Sequence, residues 1–289
     1  METAISVEKL TKTFVHGWRR RRVDAVRELS FTVAEGEVFG LVGPNGAGKS
    51  TTLRILLGLV AATSGRCELL GGRVTEARTR ARIGFLPETI HAPEHLSAAE
   101  LLDLMARLSG VPASGRRARI TGLLARVGLA DAGSLPLRKF SKGMLQRAGL
   151  AQALVGEPRL VLLDEPMSGL DPVARHELRA LIASLRAEGR TVLFSTHILS
   201  DIESLCDRCA IVAGGTLRAL GTLDELVKGS PAAEVTLERS GVRATEFVNE
   251  VDITAHVARA IAEGATVVSV IPRRETLEDV FLRAVAAAT

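Results

Sequence analysis

The sequence predicts an α/β fold around a parallel sheet, with a smaller α+β appendage at the C-terminal end. Three observations lead to this prediction. A glycine-rich turn at 43–50 lies between a strand-like and a helix-like apolar run. Apolar runs at 159–165 and 191–195 are typical of strands covered by helices on both faces. A Gly-Ser-Pro break at 229–231 then separates the appendage from this core.

The glycine-rich turn fits G-x-x-x-x-G-K-[ST], the pattern of a phosphate-binding loop. Its glycines let backbone N–H groups face phosphate oxygens, and the helix that follows adds its positive N-terminal end. Lys49 is then placed to reach the β- and γ-phosphates in catalysis, and the Ser50 hydroxyl to ligate Mg²⁺. We therefore expect a nucleoside triphosphate to bind here. The expected contact residues are Gly43, Pro44, Asn45, Gly46, Ala47, Gly48, Lys49, Ser50 and Thr51.

Two carboxylates and a histidine follow the other predicted strands. Asp164, at the end of the first, is expected to hold Mg²⁺, and Glu165 to orient or deprotonate the water that attacks the γ-phosphate. His197 follows the second strand. Because the carboxyl ends of parallel strands lie at one edge of a sheet, we expect His197 to face the γ-phosphate.

The order of these motifs resembles that of ATP-binding cassette (ABC) transporter nucleotide-binding subunits, over roughly the first four-fifths of the chain. The segment 140–144 stands in place of the family signature, usually written L-S-G-G-Q, and 168–171 in place of the D-loop. His197 matches the switch histidine, and Phe14 the aromatic residue that stacks on adenine. The resemblance implies ATP and Mg²⁺ as ligands. It also implies a P-loop NTPase core of RecA type with an antiparallel β subdomain and a helical signature subdomain.

Two parts of the chain depart from the family pattern. Many members carry Gln where this chain has Glu88, which we expect to ligate Mg²⁺ because a carboxylate can do so. In the signature, Lys142 replaces the first Gly and Met144 replaces Gln. The retained Ser141 and Gly143 are expected to contact the γ-phosphate through a hydroxyl and a backbone N–H. This variant resembles a subset of cassettes that work with exporter-type membrane subunits.

The resemblance also implies partners. In this family the signature of one cassette completes the nucleotide site of another, and this chain has one phosphate loop and one signature. We therefore expect a second copy of the chain or a paralogous cassette, together with integral membrane transporter subunits. Nucleic acid is not expected as a partner. A soluble single-cassette scaffold ATPase, like the one used in iron–sulfur assembly, is the alternative, and import stays open beside export.

Composition agrees with a peripheral protein at the cytoplasmic face of a membrane. The 289 residues are 46% hydrophobic and carry a net charge of +4. No apolar run approaches the ~20 residues needed to cross a bilayer, and no signal peptide pattern is present. The 289 residues predict one large domain with a smaller one attached.

We predict an ABC ATPase domain over 1–229, with its helical subdomain at about 90–157, and an accessory domain over 230–289. Ser97 and Glu100 predict a capping box at the start of a helix in the helical subdomain.

The accessory domain is predicted to contain strands at 233–238 and 266–271 and a helix at 251–262. Thr276 is expected to cap a final helix, whose sequence resembles the end of many exporter-type cassette subunits.

Cys206 and Cys209 form a C-x-x-C pair, and Cys67 is the third cysteine. With no histidine pair beside them, we expect structural cysteines rather than a zinc site or a disulfide framework. The basic run 18–22 contains one Trp and four Arg. We expect a solvated hairpin tip, with contact to anionic lipid, to a partner subunit or to nucleic acid as the alternatives.

Overall fold

The structure, a computed structural model, describes residues 2–16, 21–227, 232–239, 241–273 and 276–286. Within the predicted basic run, Trp18, Arg19 and Arg20 lie outside the described residues. The predicted break at 229–231 also lies outside them.

The chain is built of thirteen strands and ten α-helices within its described ranges. The strands are β1 (Thr3–His16), β2 (Arg21–Ala34), β3 (Val38–Val42), β4 (Ser64–Leu69), β5 (Gly72–Arg73), β6 (Ile83–Leu86), β7 (Leu160–Asp164), β8 (Thr191–Thr196), β9 (Arg208–Ala213), β10 (Thr216–Thr222), β11 (Ala232–Arg239), β12 (Val242–Asn249) and β13 (Thr266–Arg273). The α-helices are α1 (Lys49–Leu56), α2 (Ala77–Arg80), α3 (Ala98–Leu108), α4 (Ala113–Arg126), α5 (Lys142–Leu154), α6 (Pro172–Ala187), α7 (Leu199–Leu205), α8 (Leu223–Leu226), α9 (Ile253–Ala262) and α10 (Leu277–Ala286). Short 3₁₀ helices occur at Leu137–Lys139 and Glu250–Asp252. Among the described residues, none of the helices has the length and apolar character required to span a bilayer.

Six strands form the central sheet in the order β10-β9-β3-β8-β7-β6. All neighbours are parallel except β10, which pairs antiparallel with β9. Strand β7 shows why its apolar run is uninterrupted. Leu160 and Leu162 join the apolar cluster of Leu53 from α1, whereas Val161 joins that of Leu178 from α6 on the other face. The predicted parallel sheet with helices on both faces is confirmed.

A second, antiparallel sheet has the strand order β2-β1-β4-β5. Its buried residues Ile5, Leu10 and Leu29 belong to the same apolar cluster as Leu53 of α1. The ring of Phe31 stacks on Phe39 of the central sheet, with 5.4 Å between the ring centroids. This sheet therefore covers the α1 side of the core.

Helices α3, α4 and α5 enclose an apolar cluster of their own, which includes Leu101, Leu124 and Ala151. The predicted capping box opens α3. The Ser97 hydroxyl accepts a hydrogen bond from the Glu100 N–H at 3.2 Å, and the Glu100 carboxylate accepts one from the Ser97 N–H at 2.8 Å. The hydrogen bonds that the Glu100 carboxylate accepts from the N–H and the hydroxyl of Ser97 lower the pKa of Glu100.

The third sheet has the order β12-β11-β13, and α9 packs on one of its faces. Val235 and Leu237 are buried there against Ala260. Strand β12 was not predicted, because all of its residues except Val248 are exposed and no apolar alternation marks it.

The last helix, α10, packs against the central six-stranded sheet and α7. Leu277 and Val280 of α10 are buried in the cluster that contains Ile202 and Cys209. Thr276 caps this helix as predicted, since its hydroxyl accepts a hydrogen bond from the Asp279 N–H at 3.2 Å. The end of the predicted accessory domain thus contributes to the apolar core around the central sheet. The domain boundary itself stays a prediction.

Cys206 and Cys209 lie beneath α7, and both are free thiols. Burial raises the pKa of Cys209 to about 12. Burial also raises the pKa of Cys206 well above its usual value. Protonated thiols are poor metal ligands and poor nucleophiles, which fits the predicted structural role.

Gly40→Ala is expected to destabilise this packing. A methyl group at Gly40 would lie 2.3 Å from Ile202 Cδ1 and 2.7 Å from Cys206 Sγ, so both of these side chains have to shift. We expect such overpacking to lower the free energy of unfolding by about 1–3 kcal/mol. Urea denaturation measures this change. The control is Gly122→Ala in α4, where the added methyl group would have no neighbouring side chain or strand within 4 Å. It should raise the unfolding free energy by about 0.5–1 kcal/mol. Equal stabilities of the two variants would contradict this account.

Candidate active site

Three chain segments meet at the carboxyl edge of the central sheet. Strands β3, β8 and β7 are adjacent and parallel, with Val42 opposite Thr196 and Asp164 opposite Ser195. The strands therefore end at the same level. The structure brings the phosphate-binding loop at 43–50 beside the carboxylates of β7 and beside His197, as the parallel-sheet argument predicted.

The loop before α1 depends on two glycines for close approach. A Cβ at Gly43 would lie 2.2 Å from the Val212 carbonyl oxygen, and a Cβ at Gly48 would lie 2.3 Å from the Ala25 carbonyl oxygen. Gly48 also has φ of 100°, which other residues rarely adopt. The glycines thus seat the loop directly on neighbouring backbone. Its own N–H groups and the start of α1 form a cradle suited to phosphate oxygens.

Lys49 is buried at the base of this loop, with a side-chain exposure of 5%. Its ammonium donates hydrogen bonds to the carbonyl oxygens of Gly43 at 2.7 Å and Pro44 at 3.3 Å. It also forms an ion pair with Glu165 Oε1 at 3.1 Å. The loop backbone and one carboxylate therefore hold the Lys49 ammonium at the base of the loop.

Asp164 accepts two hydrogen bonds on Oδ1. One comes from the Ser50 hydroxyl at 2.9 Å and the other from the Ser195 hydroxyl at 2.7 Å. Mg²⁺ prefers oxygen ligands and is usually held by one or two carboxylates together with substrate phosphates. The Ser50 and Asp164 oxygens, adjacent to the phosphate cradle, fit such an ion.

Glu165 lies between Lys49 and His197. Its Oε2 is 2.8 Å from His197 Nδ1, and its side-chain exposure is 9%. The residue has φ of 46°, in the left-handed region that non-glycine residues seldom occupy. Its N–H donates to the Ser195 hydroxyl at 2.9 Å. The hydrogen bond to Ser195 holds this strained backbone, which in turn fixes the direction of the Glu165 side chain.

Ser195 is the functional residue that sequence reasoning missed. Its single hydroxyl donates to the Asp164 carboxylate and accepts from the Glu165 N–H, so it positions the Asp164 side chain and the Glu165 backbone. A polar residue near the carboxyl end of a fully buried strand was the available signal.

Lys49, Glu165 and His197 line a cavity of about 500 Å³. The exposed Glu88 lines it, and the Glu88 carbonyl accepts a hydrogen bond from the Gln146 amide at 3.1 Å. Phe14 pairs with Val23 on the neighbouring strand, and Val23 lines the cavity. Lys12 Nζ lies 4.9 Å from the centroid of the Phe14 ring. From the loop itself, the lining residues are Asn45, Gly46, Ala47, Gly48, Lys49, Ser50 and Thr51.

The signature residues lie elsewhere. Within the described part of the chain, the residues that line the cavity do not include Ser141 or Gly143. Ser141 is exposed and caps α5, with its hydroxyl accepting from the Met144 N–H at 3.2 Å. Lys142 lies against the D-loop, where a Cβ at Gly169 would be 2.4 Å from Lys142 Nζ.

Comparisons with known proteins agree with this geometry. The family model described as ABC transporter matches residues 26–168. An uncharacterized ABC transporter ATP-binding protein of Synechocystis sp. is 41% identical over 282 residues, covering 92% of this chain and 80% of that protein. The daunorubicin resistance ATP-binding protein DrrA3 of Streptomyces coeruleorubidus is 35% identical, covering 97% of this chain and 95% of that protein.

Among solved structures, the chain is similar to the dimeric structure of MJ0796, a bacterial ABC transporter cassette. The TM-score is 0.70 at 25% identity, covering 76% of this chain and 98% of the other.

Proposed function

The chain belongs to the ABC transporter family of ATP-binding proteins, and from this premise we propose that it is the ATP-hydrolysing subunit of an exporter. The observation that carries the proposal is the contact of the buried Lys49 and Glu165 with each other and with the exposed His197, at the base of the phosphate-binding loop. The subunit would be peripheral, at the cytoplasmic face of the membrane, and would drive separate integral membrane subunits. Similarity to a daunorubicin resistance protein favours export.

Hydrolysis starts from the ion pair between Lys49 and Glu165. Oxygens of the γ-phosphate compete for the Lys49 ammonium, and this competition releases Glu165 toward the attacking water. Glu165 then orients that water and accepts its proton. His197 Nδ1 lies 2.8 Å from the Glu165 carboxylate, and a ring N–H of His197 would donate to a γ-phosphate oxygen when ATP is bound. Phe14 stacks on the adenine ring.

Ser50 and Asp164 would hold Mg²⁺, with Glu88, which also lines the cavity, as a further oxygen donor. When bound, the ion would supply positive charge to the phosphate oxygens. Ser195 keeps the Asp164 carboxylate turned toward Ser50 through its 2.7 Å hydrogen bond.

The nucleotide site is completed by a second cassette. Among the described residues, Ser141 and Gly143 do not line the cavity of their own chain. They would instead contact the γ-phosphate that is bound in the site of the partner. Both half-sites are intact in this sequence, which favours two identical chains in a closed dimer with two-fold symmetry. A paralogous cassette as partner is the alternative. The dimeric cassette of MJ0796 supports self-pairing.

Glu88→Gln is expected to keep measurable ATPase activity, because an amide oxygen can replace the carboxylate oxygen on Mg²⁺. Glu88→Ala removes the ligand and should uncouple hydrolysis from the membrane subunits. Steady-state phosphate release, with and without those subunits, measures both effects. Equal activity in the wild type and both variants would remove Glu88 from the site.

The proposed role is tested by pulling the tagged chain from its own cells in mild detergent and identifying partners by mass spectrometry. A stoichiometric polytopic membrane protein is expected, and its family would indicate the class of cargo. Soluble partners alone, with ATPase activity intact, would instead support the scaffold ATPase.

A further inference from the structure

Asp201, on α7, is a buried charge outside the cluster of Lys49, Glu165 and His197. Its side chain is fully buried. Two hydrogen bonds reach its Oδ1 from Arg179 of α6, at 3.1 Å from Nε and 2.5 Å from a terminal nitrogen. Arg175 of α6 adds an ion pair at 3.5 Å. Burying a carboxylate costs desolvation energy, which the contacts with Arg175 and Arg179 offset. The two arginines also fix the orientation of the Asp201 side chain.

The other oxygen of Asp201 reaches the loop that carries His197. Thr196 Oγ1 donates to Asp201 Oδ2 at 3.3 Å and accepts from the Ile198 N–H at 3.1 Å. The residues on both sides of His197 are therefore tied to one hydroxyl, and this hydroxyl is held by Asp201. His197 in turn contacts Glu165 at 2.8 Å.

Helix α6 begins next to the signature. Asp171 caps it, accepting hydrogen bonds from the Val173 N–H at 3.0 Å and the Ala174 N–H at 2.9 Å. A Cβ at Gly143 would lie 3.0 Å from Ala174 Cβ, so the signature turn rests on the first turn of α6. Arg179 lies about 8 Å beyond Ala174 along the same helix.

We propose that Asp201 is a positioning residue for ATP hydrolysis. Clamped by Arg175 and Arg179, it fixes the His197 loop to α6, and α6 links that loop to the signature turn of the same chain. Binding of the partner's nucleotide at the signature is thereby transmitted to the histidine of the other site. This inference rests on the proposed role of His197.

The test measures kcat and KM for Mg-ATP in Asp201→Asn and Asp201→Glu. Asp201→Asn should lower kcat about 10-fold or more with KM changed by less than about 2-fold, because small misplacements of catalytic groups cost rate rather than binding. Asp201→Glu should restore part of kcat, since it keeps the charge between the two arginines. The control is Glu203→Gln, an exposed carboxylate on the same helix, which should behave as the wild type.

A second measurement separates positioning from stability. In a His197→Ala background, Asp201→Asn should cause no further loss of the single-turnover rate, because both changes act through one group. Full additivity of the two losses, or an unchanged kcat in Asp201→Asn, would overturn the inference alone. A His197→Ala variant with wild-type activity would overturn the proposed role of His197, and the inference with it.

Discussion

Glu165→Gln is expected to lower the rate of ATP hydrolysis by about 10²-fold or more, because the amide cannot accept the proton of the attacking water. The substitution keeps the shape of the side chain and the packing around its unusual backbone conformation. ATP binding should therefore persist while hydrolysis stops. The variant is expected to accumulate as an ATP-bound dimer.

Size-exclusion chromatography with Mg-ATP, together with phosphate release, measures both effects. Glu68→Gln, an exposed carboxylate on β4, is the matched control and should hydrolyse ATP at the wild-type rate. A Glu165→Gln variant that stays monomeric under saturating Mg-ATP would argue against the closed dimer. Hydrolysis at the wild-type rate would remove Glu165 from the catalytic role.

Lys49→Ala is expected to weaken ATP binding by about 10²-fold, since charge-assisted contacts to phosphate oxygens are among the strongest polar interactions. The change also leaves Glu165 without its 3.1 Å ion-pair partner inside the site. The carboxylate then repels the γ-phosphate instead of being neutralised. Equilibrium binding of a fluorescent ATP analogue measures the loss.

The control for Lys49→Ala is Arg54→Ala, which removes one positive charge from an exposed position of the same helix. Its affinity for ATP should equal that of the wild type. Equal loss in both variants would show a general charge effect on binding rather than a contact made by Lys49.

Sequence patterns predicted the elements whose periodicity or motif is local. The buried run of β7, the glycine-rich loop and the capping box at Ser97 each carry their own signal within a few residues. Strand β12 lacked such a signal, because its exposed residues show no alternation of apolar side chains.

Contacts that join distant parts of the chain could not be predicted in this way. The hydroxyl of Ser195 accepts from the Glu165 N–H and donates to the Asp164 carboxylate, 30 and 31 positions away in sequence. The clamp of Arg179 on Asp201 spans 22 positions, and α10 finds its apolar partners on the central sheet. Each contact depends on which strands become neighbours, and a single sequence does not encode that order in any local pattern.

In the proposed closed dimer, each nucleotide site combines the phosphate-binding loop of one chain with the signature of the other. Complementation between two variants, each defective in one of these halves, tests this arrangement most directly. Lys49→Ala removes the phosphate site of a chain but leaves its signature. Ser141→Asp keeps the helix cap, since Asp is a favoured N-cap residue, but puts a carboxylate where the partner's γ-phosphate binds. Each variant alone should be inactive.

In a mixed dimer of the two variants, one site combines both defects and the other combines the two intact halves. Mixing equal amounts should therefore restore ATPase activity to about a quarter of the wild-type rate, because half of the dimers carry one working site. Activity no greater than the sum of the two separate variants, or an active Ser141→Asp protein by itself, would contradict the shared site.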